Sequence, residues 1–341
     1  MAISANEIKL LKPSTINDTT SNGGVMGTLP IADGVKNNVW PDVPQSERVA
    51  GSVKYRKTFI KVANDDDITL VDPKIFIETK TPGDDTIVLM AGTQIDTQAD
   101  ATGYSRFYGA GDLDADVTAE ATTIDVNVES GNSAAGDNIF QDGDLVRISD
   151  KLNVDDADNN VEFLRLANTG GVSWNGDKAT LTFDAGVYLA NDYIATSTRV
   201  ASVLETDNIV ASFDTWAESS ASGTYDESGF PPTLDHISGI EENWTITFTD
   251  ATNFSCVGSI LGTVGSGSIG GGDFAPNNTD FSKPYFTLLD AGWAGTWASG
   301  DTLSFTSHPA ATAVWQKRTV PAGANSLSGD KVIVAVSGES A

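Results

Sequence analysis

From Val53 to the end of the chain, apolar and polar residues alternate with the period of two that a half-buried β-strand requires. The recurrence every three to four residues that marks an amphipathic helix is nearly absent. The clearest run is "ENWTITFTD", which sets Trp244, Ile246 and Phe248 on one face. "DITLVDPKIFIETKT", "DDTIVLMAGTQ", "KATLTFDAGV" and "DKVIVAVSGES" read the same way, with Pro73 and Pro82-Gly83 as punctuation. The one helical signal is "SANEIKLL" near the start, which Pro13 ends. "STINDTTSNGGVMG" is a turn-rich loop, and the glycine-rich residues 262–272 predict a mobile loop or an extended crossing. The chain is all-β, expected as β-sandwich or barrel-like modules.

One strand breaks the pattern. "SVKYRKTFIKV" puts Val53, Tyr55 and Phe59 on one face with Lys54, Arg56 and Thr58 on the other, yet Lys57 and Lys61 interrupt the apolar side. That pattern predicts a partly exposed or edge strand. Charge sharpens the anomaly: the chain carries 20 Lys and Arg against 47 Asp and Glu, a formal charge of −27. Five of those cations (Arg48, Lys54, Arg56, Lys57, Lys61) nevertheless fall within residues 48–61 of the window 34–62, after the Asn37-Asn38-Val39-Trp40-Pro41-Asp42 turn. Two readings stand side by side. In one the window, with Trp40, docks on an acidic surface of a neighbouring subunit. In the other it is a solvated strand whose charges meet the chain's own Asp65, Asp66 and Asp67.

Composition shifts near residue 110. "AGDLDADVTAEATTIDVNVES", "FQDGDLVRISDK" and "NNVEFLRLANTGG" form a compact set of hairpins over 113–200, suited to a small inserted β-domain. The acidity argues against nucleic acid, because phosphate binding needs a field of Lys and Arg. It argues equally against docking on anionic membranes. No apolar run reaches the roughly 18 residues of a membrane helix, and the N-terminus lacks the basic and apolar regions of a secretory signal. Synthesis and folding in the cytoplasm are the expectation.

Candidate chemistry is sparse. His236 and His308 are the two histidines, with no G-x-S-x-G elbow, and both read as structural hydrogen-bonding residues. The lone Cys256 lies in an alternating apolar run and reads as a small buried hydrophobe. Asp112, Asp114 and Asp116 alternate as at the start of a calcium loop, but Val117 and Thr123 stand where such a loop needs Gly and Glu. Asp155, Asp156 and Asp158 also miss the pattern. Loop-bound calcium at Asp112–Asp116 competes with a solvated acidic hairpin tip. Trp293 and Trp297, in "AGWAGTWASGD", are either a sugar-stacking platform or a cap on the core. Nothing indicates an enzyme or a cofactor.

Three blocks carry a resemblance: "SANEIKLLKPSTINDTTSNGG", "IADGVKNNVWPDVPQSERVAGSVKYRKTFIKV" and "PYFTLLDAGWAGTWASGDTLSFTSHPAATAVWQKRTVPAG". In the order of their motifs they resemble virion structural proteins of tailed bacteriophages, Mu-like and related. The resemblance covers roughly a third of the chain, at both ends, and brings no catalytic residues. It implies a structural component of the tail, baseplate or neck, located in the virion, whose partners are other virion proteins and copies of itself. A receptor- or glycan-binding module at the virion surface, facing a host glycan, is the alternative. Matching ends further imply that 1–112 and 201–341 form one discontinuous β-domain, interrupted by 113–200.

Overall fold

The computed structural model describes residues 2–151 and 159–341. The protein is nearly all β, 45% strand and 5% helix, built of several antiparallel sheets, none of which closes into a barrel among the described residues.

The first sheet has five strands in the order Gly23–Pro30, Ile8–Thr15, Ser52–Val62, Ala311–Val320 and Thr86–Ala91. A three-stranded sheet, Leu204–Glu205, Leu70–Thr79 and Ile333–Ser340, lies against it. Ile60, Val62, Leu89 and Val314 from the first sheet share one core with Leu70, Ile75 and Ile77 from the second, which makes the pair a sandwich. The two ends of the chain are thereby woven together: Ser52–Val62 pairs with Ala311–Val320, and Leu70–Thr79 with Ile333–Ser340.

A seven-stranded sheet takes its strands from Ala110–Leu113 through Arg199–Ser202 and covers a core of Val126, Phe140, Val146, Ile148, Leu181 and Val200. Within 201–341, residues 212–308 build a further five-stranded sheet, in the order Ser212–Glu218, Thr302–His308, Glu242–Phe248, Asn253–Gly258 and Gly262–Ser268. Its core is aromatic, with Trp244, Phe248, Phe254, Phe286, Trp297 and Phe305. Gly223 sits at the one position where Trp297 leaves no room: a Cβ there would lie 2.4 Å from the indole.

Three local expectations are corrected. "SANEIKLL" is a single 3-10 turn, Ala5–Glu7, closed by a Ser4–Glu7 capping box, after which Ile8–Thr15 is a strand. Pro13 is accommodated because the pairing register shifts on both sides of it. Residues 262–268 are not a loop but an ordered strand on Asn253–Gly258. The Ser52–Val62 strand is not at an edge: Ile8–Leu11 pairs on one side and Ala311–Val320 on the other.

Candidate functional site

The basic window is the natural place to look for function. Every residue from Arg56 to Val62 is buried, so polar side chains are enclosed on both faces of the strand. Burying a cation is tolerated only where acceptors surround it, and each buried cation here has them within the chain.

At the outer end, Lys54 Nζ lies 2.7 Å from Glu47 and 2.9 Å from Asp18, and Arg56 pairs with Asp18 at 2.7 Å. Glu47 comes from the short helix Gln45–Ala50, which stops at Gly51 with φ 78°. Trp40 is clasped by two guanidiniums, with Arg318 Cζ 4.7 Å and Arg56 Cζ 5.3 Å from its ring centre. Its indole N–H donates to Gln316 Oε1, and Arg318 donates to the Pro41 carbonyl at 2.9 Å. The Arg48 carbonyl accepts from Gly323 N–H at 2.7 Å. The Asn37–Asp42 turn is thus fastened to the paired N- and C-terminal strands.

Further in, Lys57 is 2% exposed and Lys61 1%. Lys57 Nζ stands 2.6 Å from Asp96 Oδ1 and donates to the Gly24 carbonyl at 2.7 Å. The second Asp96 oxygen accepts from Tyr104 O–H at 2.5 Å and from the Trp315 indole at 2.9 Å. Burial pushes the Lys57 amine down, against the opposing pull of Asp96. Among the described residues Lys61 has a single hydrogen-bond partner, the Ile237 carbonyl at 2.6 Å, and lies over the Phe281 ring. Burial takes it down to about 8. The ammonium groups of Lys57 and Lys61 are partnered inside the chain and do not meet Asp65–Asp67: Asp65 pairs with Lys283 at 2.9 Å, and Asp67 accepts from the His236 backbone N–H.

The other candidates separate rather than converge. Asp112 pairs with Lys80 at 2.8 Å, Asp114 accepts from Asn127 at 2.6 Å, and Asp116 accepts from the Ala195 N–H at 2.9 Å. No group of three or more metal-ligating side chains occurs among the described residues, and Asp155, Asp156 and Asp158 lie outside them. Trp293 and Trp297 are 9% and 1% exposed, so neither presents a ring to a sugar. Trp297 stacks on Phe248 at 4.3 Å and 11°, and Trp293 meets Tyr225 edge-on at 4.8 Å. Cys256 is fully buried, its thiol pushed up to about 12 by burial.

No protein-family model, no curated protein and no solved structure matches this chain.

His308 bonds Glu241 at 2.8 Å through Nδ1 and Asp214 at 3.2 Å through Nε2. Burial opposes its charge, but the two carboxylates prevail and the imidazole is shifted up. Both ring nitrogens face acids, so none is left to activate a nucleophile. His236 is buried, with Nε2 accepting the Ala211 N–H at 3.3 Å. Sequence reasoning missed a second buried pair, Glu78 with Arg147 at 2.5 Å, which joins the three-stranded sheet to the seven-stranded one. It also missed Asp18, Glu47 and Asp96, which no local pattern connects to the basic window. A recess of about 580 Å³ is lined by Gln94, Glu205, Asp207, Asn208 and Thr312, among others. No helix among the described residues is long and apolar enough to cross a membrane.

Proposed function

We propose that this chain is a structural subunit of a tailed-bacteriophage virion, in the tail, baseplate or neck, acting through repeated contacts with copies of itself and with neighbouring virion proteins. The observation that carries the reading is where the polar chemistry goes. Buried charged groups tie strands to one another and to the loops that cross them, as in Arg147–Glu78, Lys57–Asp96 and Arg318–Trp40. Such ties fix a rigid body, and the outer surface is left dominated by carboxylates. A body of this kind stays dispersed at high concentration and joins others only where contacts are built in. The phage assignment itself comes from the motif order of the chain's two ends.

Mass spectrometry of density-purified particles tests the proposal. The subunit is expected at a fixed, multi-copy ratio to the other virion proteins, and its absence from particles would sink the reading. A second reading, a glycan- or receptor-binding module, draws on the polar recess between Gln94 and Asn208, whose amides and carboxylates suit sugar hydroxyls. It predicts that the purified chain binds susceptible cells and that Asp207→Ala weakens the binding.

A further inference from the structure

Sheets that end in a strand leave one row of backbone N–H and C=O groups without a ladder partner, and proteins normally blunt such edges with charge, proline or cover. Most terminal strands here follow that rule. Thr86–Ala91 is buried beneath its neighbours. Gly23–Pro30 ends in proline and pairs through two register shifts. Ser212–Glu218 carries Asp214 and Glu218, Val161–Arg165 carries Glu162 and Arg165, and Ile333–Ser340 carries Glu339.

Gly262–Ser268 follows it only through one register shift, at Val264. This seven-residue strand, Gly-Thr-Val-Gly-Ser-Gly-Ser, ends its sheet and uses one side to pair with Asn253–Gly258. Among the described residues, Thr263 to Gly267 make no hydrogen bond beyond that ladder. The charge-free stretch is longer than the strand: residues 259–272 hold no Asp, Glu, Lys or Arg in a chain of net −27. The hairpin tip beside it is apolar and outward, with Ile260 60% and Leu261 45% exposed. That tip is held rigid from beneath. The Glu242 carboxylate, 1% exposed, accepts the N–H groups of Ile260 and Leu261 at 3.0 Å each and the Ser259 hydroxyl at 2.7 Å.

We propose that this edge is a self-recognition strand, on which a second copy of the chain adds its own Gly262–Ser268 antiparallel across a twofold axis. Charge selects the partner. Two copies of so acidic a body repel wherever carboxylates face each other, and this is the longest open edge that lacks them, proline and cover. Register supports the same partner. With the axis at Gly265, Thr263 lies opposite Gly267, Val264 (where the ladder to Asn253–Gly258 shifts register) lies opposite Ser266, and the exposed Leu261 lies opposite Ile269, which packs at the rim of the aromatic core. Backbone bonds supply the adhesion, and the Leu261–Ile269 pairs at both ends set the register. The contact deepens the assembly reading by naming its partner. Its test uses purified chain, so failure here is separable from the particle measurement.

Sedimentation velocity of the full chain at moderate salt is the experiment. The wild-type chain is expected to dimerise reversibly. Ser266→Asp, at an exposed position, puts two like charges diagonally across the seam and raises the dissociation constant about tenfold or more. Ser266→Asn, of the same size but neutral, retains the dimer, and unchanged circular dichroism shows that both variants fold. Ser266→Cys places the two thiols as diagonal cross-strand neighbours, about 7–8 Å apart, within reach of a short bis-maleimide, while buried Cys256 stays inert. A wild-type chain that stays monomeric at its highest soluble concentration overturns the proposal. So does a dimer that Ser266→Asp leaves intact, since its contact lies elsewhere.

Discussion

Replacing Lys57 by Met separates an internal tie from a docking charge. The substitution keeps much of the side chain's length and apolar stem but removes the ammonium from a site that is 2% exposed. Asp96 then keeps the Tyr104 and Trp315 donors but loses its cation, and the Gly24 carbonyl loses its donor. Removing one member of a buried ion pair costs about 3–5 kcal/mol, because the remaining charge stays desolvated. The two donors left on Asp96 place the expected loss near the lower end, at roughly 3 kcal/mol. Lys54→Met, a few residues away, is the internal control. Lys54 lies at the rim, so its pairs with Asp18 and Glu47 are screened by solvent and worth under about 1 kcal/mol. Urea unfolding followed by tryptophan fluorescence reads both, and Trp315, bonded to Asp96, reports locally. If Lys57→Met matched the wild type within 1 kcal/mol, or if Lys54→Met proved the costlier change, the cations of this strand would not be structural ties.

Three further outcomes follow from the same geometry. Burial, reinforced by Asp330, pushes Asp85 up to about 6. Its folded form therefore holds a proton that an unfolded Asp releases, and the chain loses stability as pH rises from the usual carboxylate range through 6. Asp85→Asn should then be neutral at pH 4 and stabilising at pH 8 by at most about 3 kcal/mol in thermal melts, and a destabilised variant at pH 8 would contradict this. His308 acts in the same sense at higher pH: its raised value favours the folded state below the ordinary histidine range, and that gain fades as pH rises past the folded value. His308→Gln should accordingly lower the melting temperature more at pH 5.5 than at pH 9; an equal loss at both would discard the charged pairing with Glu241 and Asp214. Trp297→Ala, which empties a site stacked on Phe248, should cost about 3–5 kcal/mol in chemical denaturation, where a ligand-facing tryptophan would cost little.

The strands of the aromatic sheet were legible because their side chains obey the simple rule of apolar inward and polar outward. Glu242–Phe248 buries Trp244, Ile246 and Phe248 while Asn243 and Thr245 stay exposed. The same rule misplaced Ser52–Val62, since it assigns every Lys and Arg to solvent. There the acceptors come from Asp18, Glu47, Asp96 and the Ile237 carbonyl, which no periodicity links to Lys54, Arg56, Lys57 or Lys61. Trp40 was visible as part of a turn, but its role depends on Gln316 and Arg318, nearly the whole chain away. The glycines of 262–268 read as flexible because glycine has no side chain to alternate. What orders them is the ladder to Asn253–Gly258, with Phe254 and Phe274 packed against Gly267.

Cryo-electron microscopy of the intact particle, with this subunit located in the map, tests the central claim most directly. Repeated, symmetry-related copies in the tail, baseplate or neck, their rigid bodies superposable on this fold, are the expected result. Particles whose every ordered density is accounted for by other chains would contradict it.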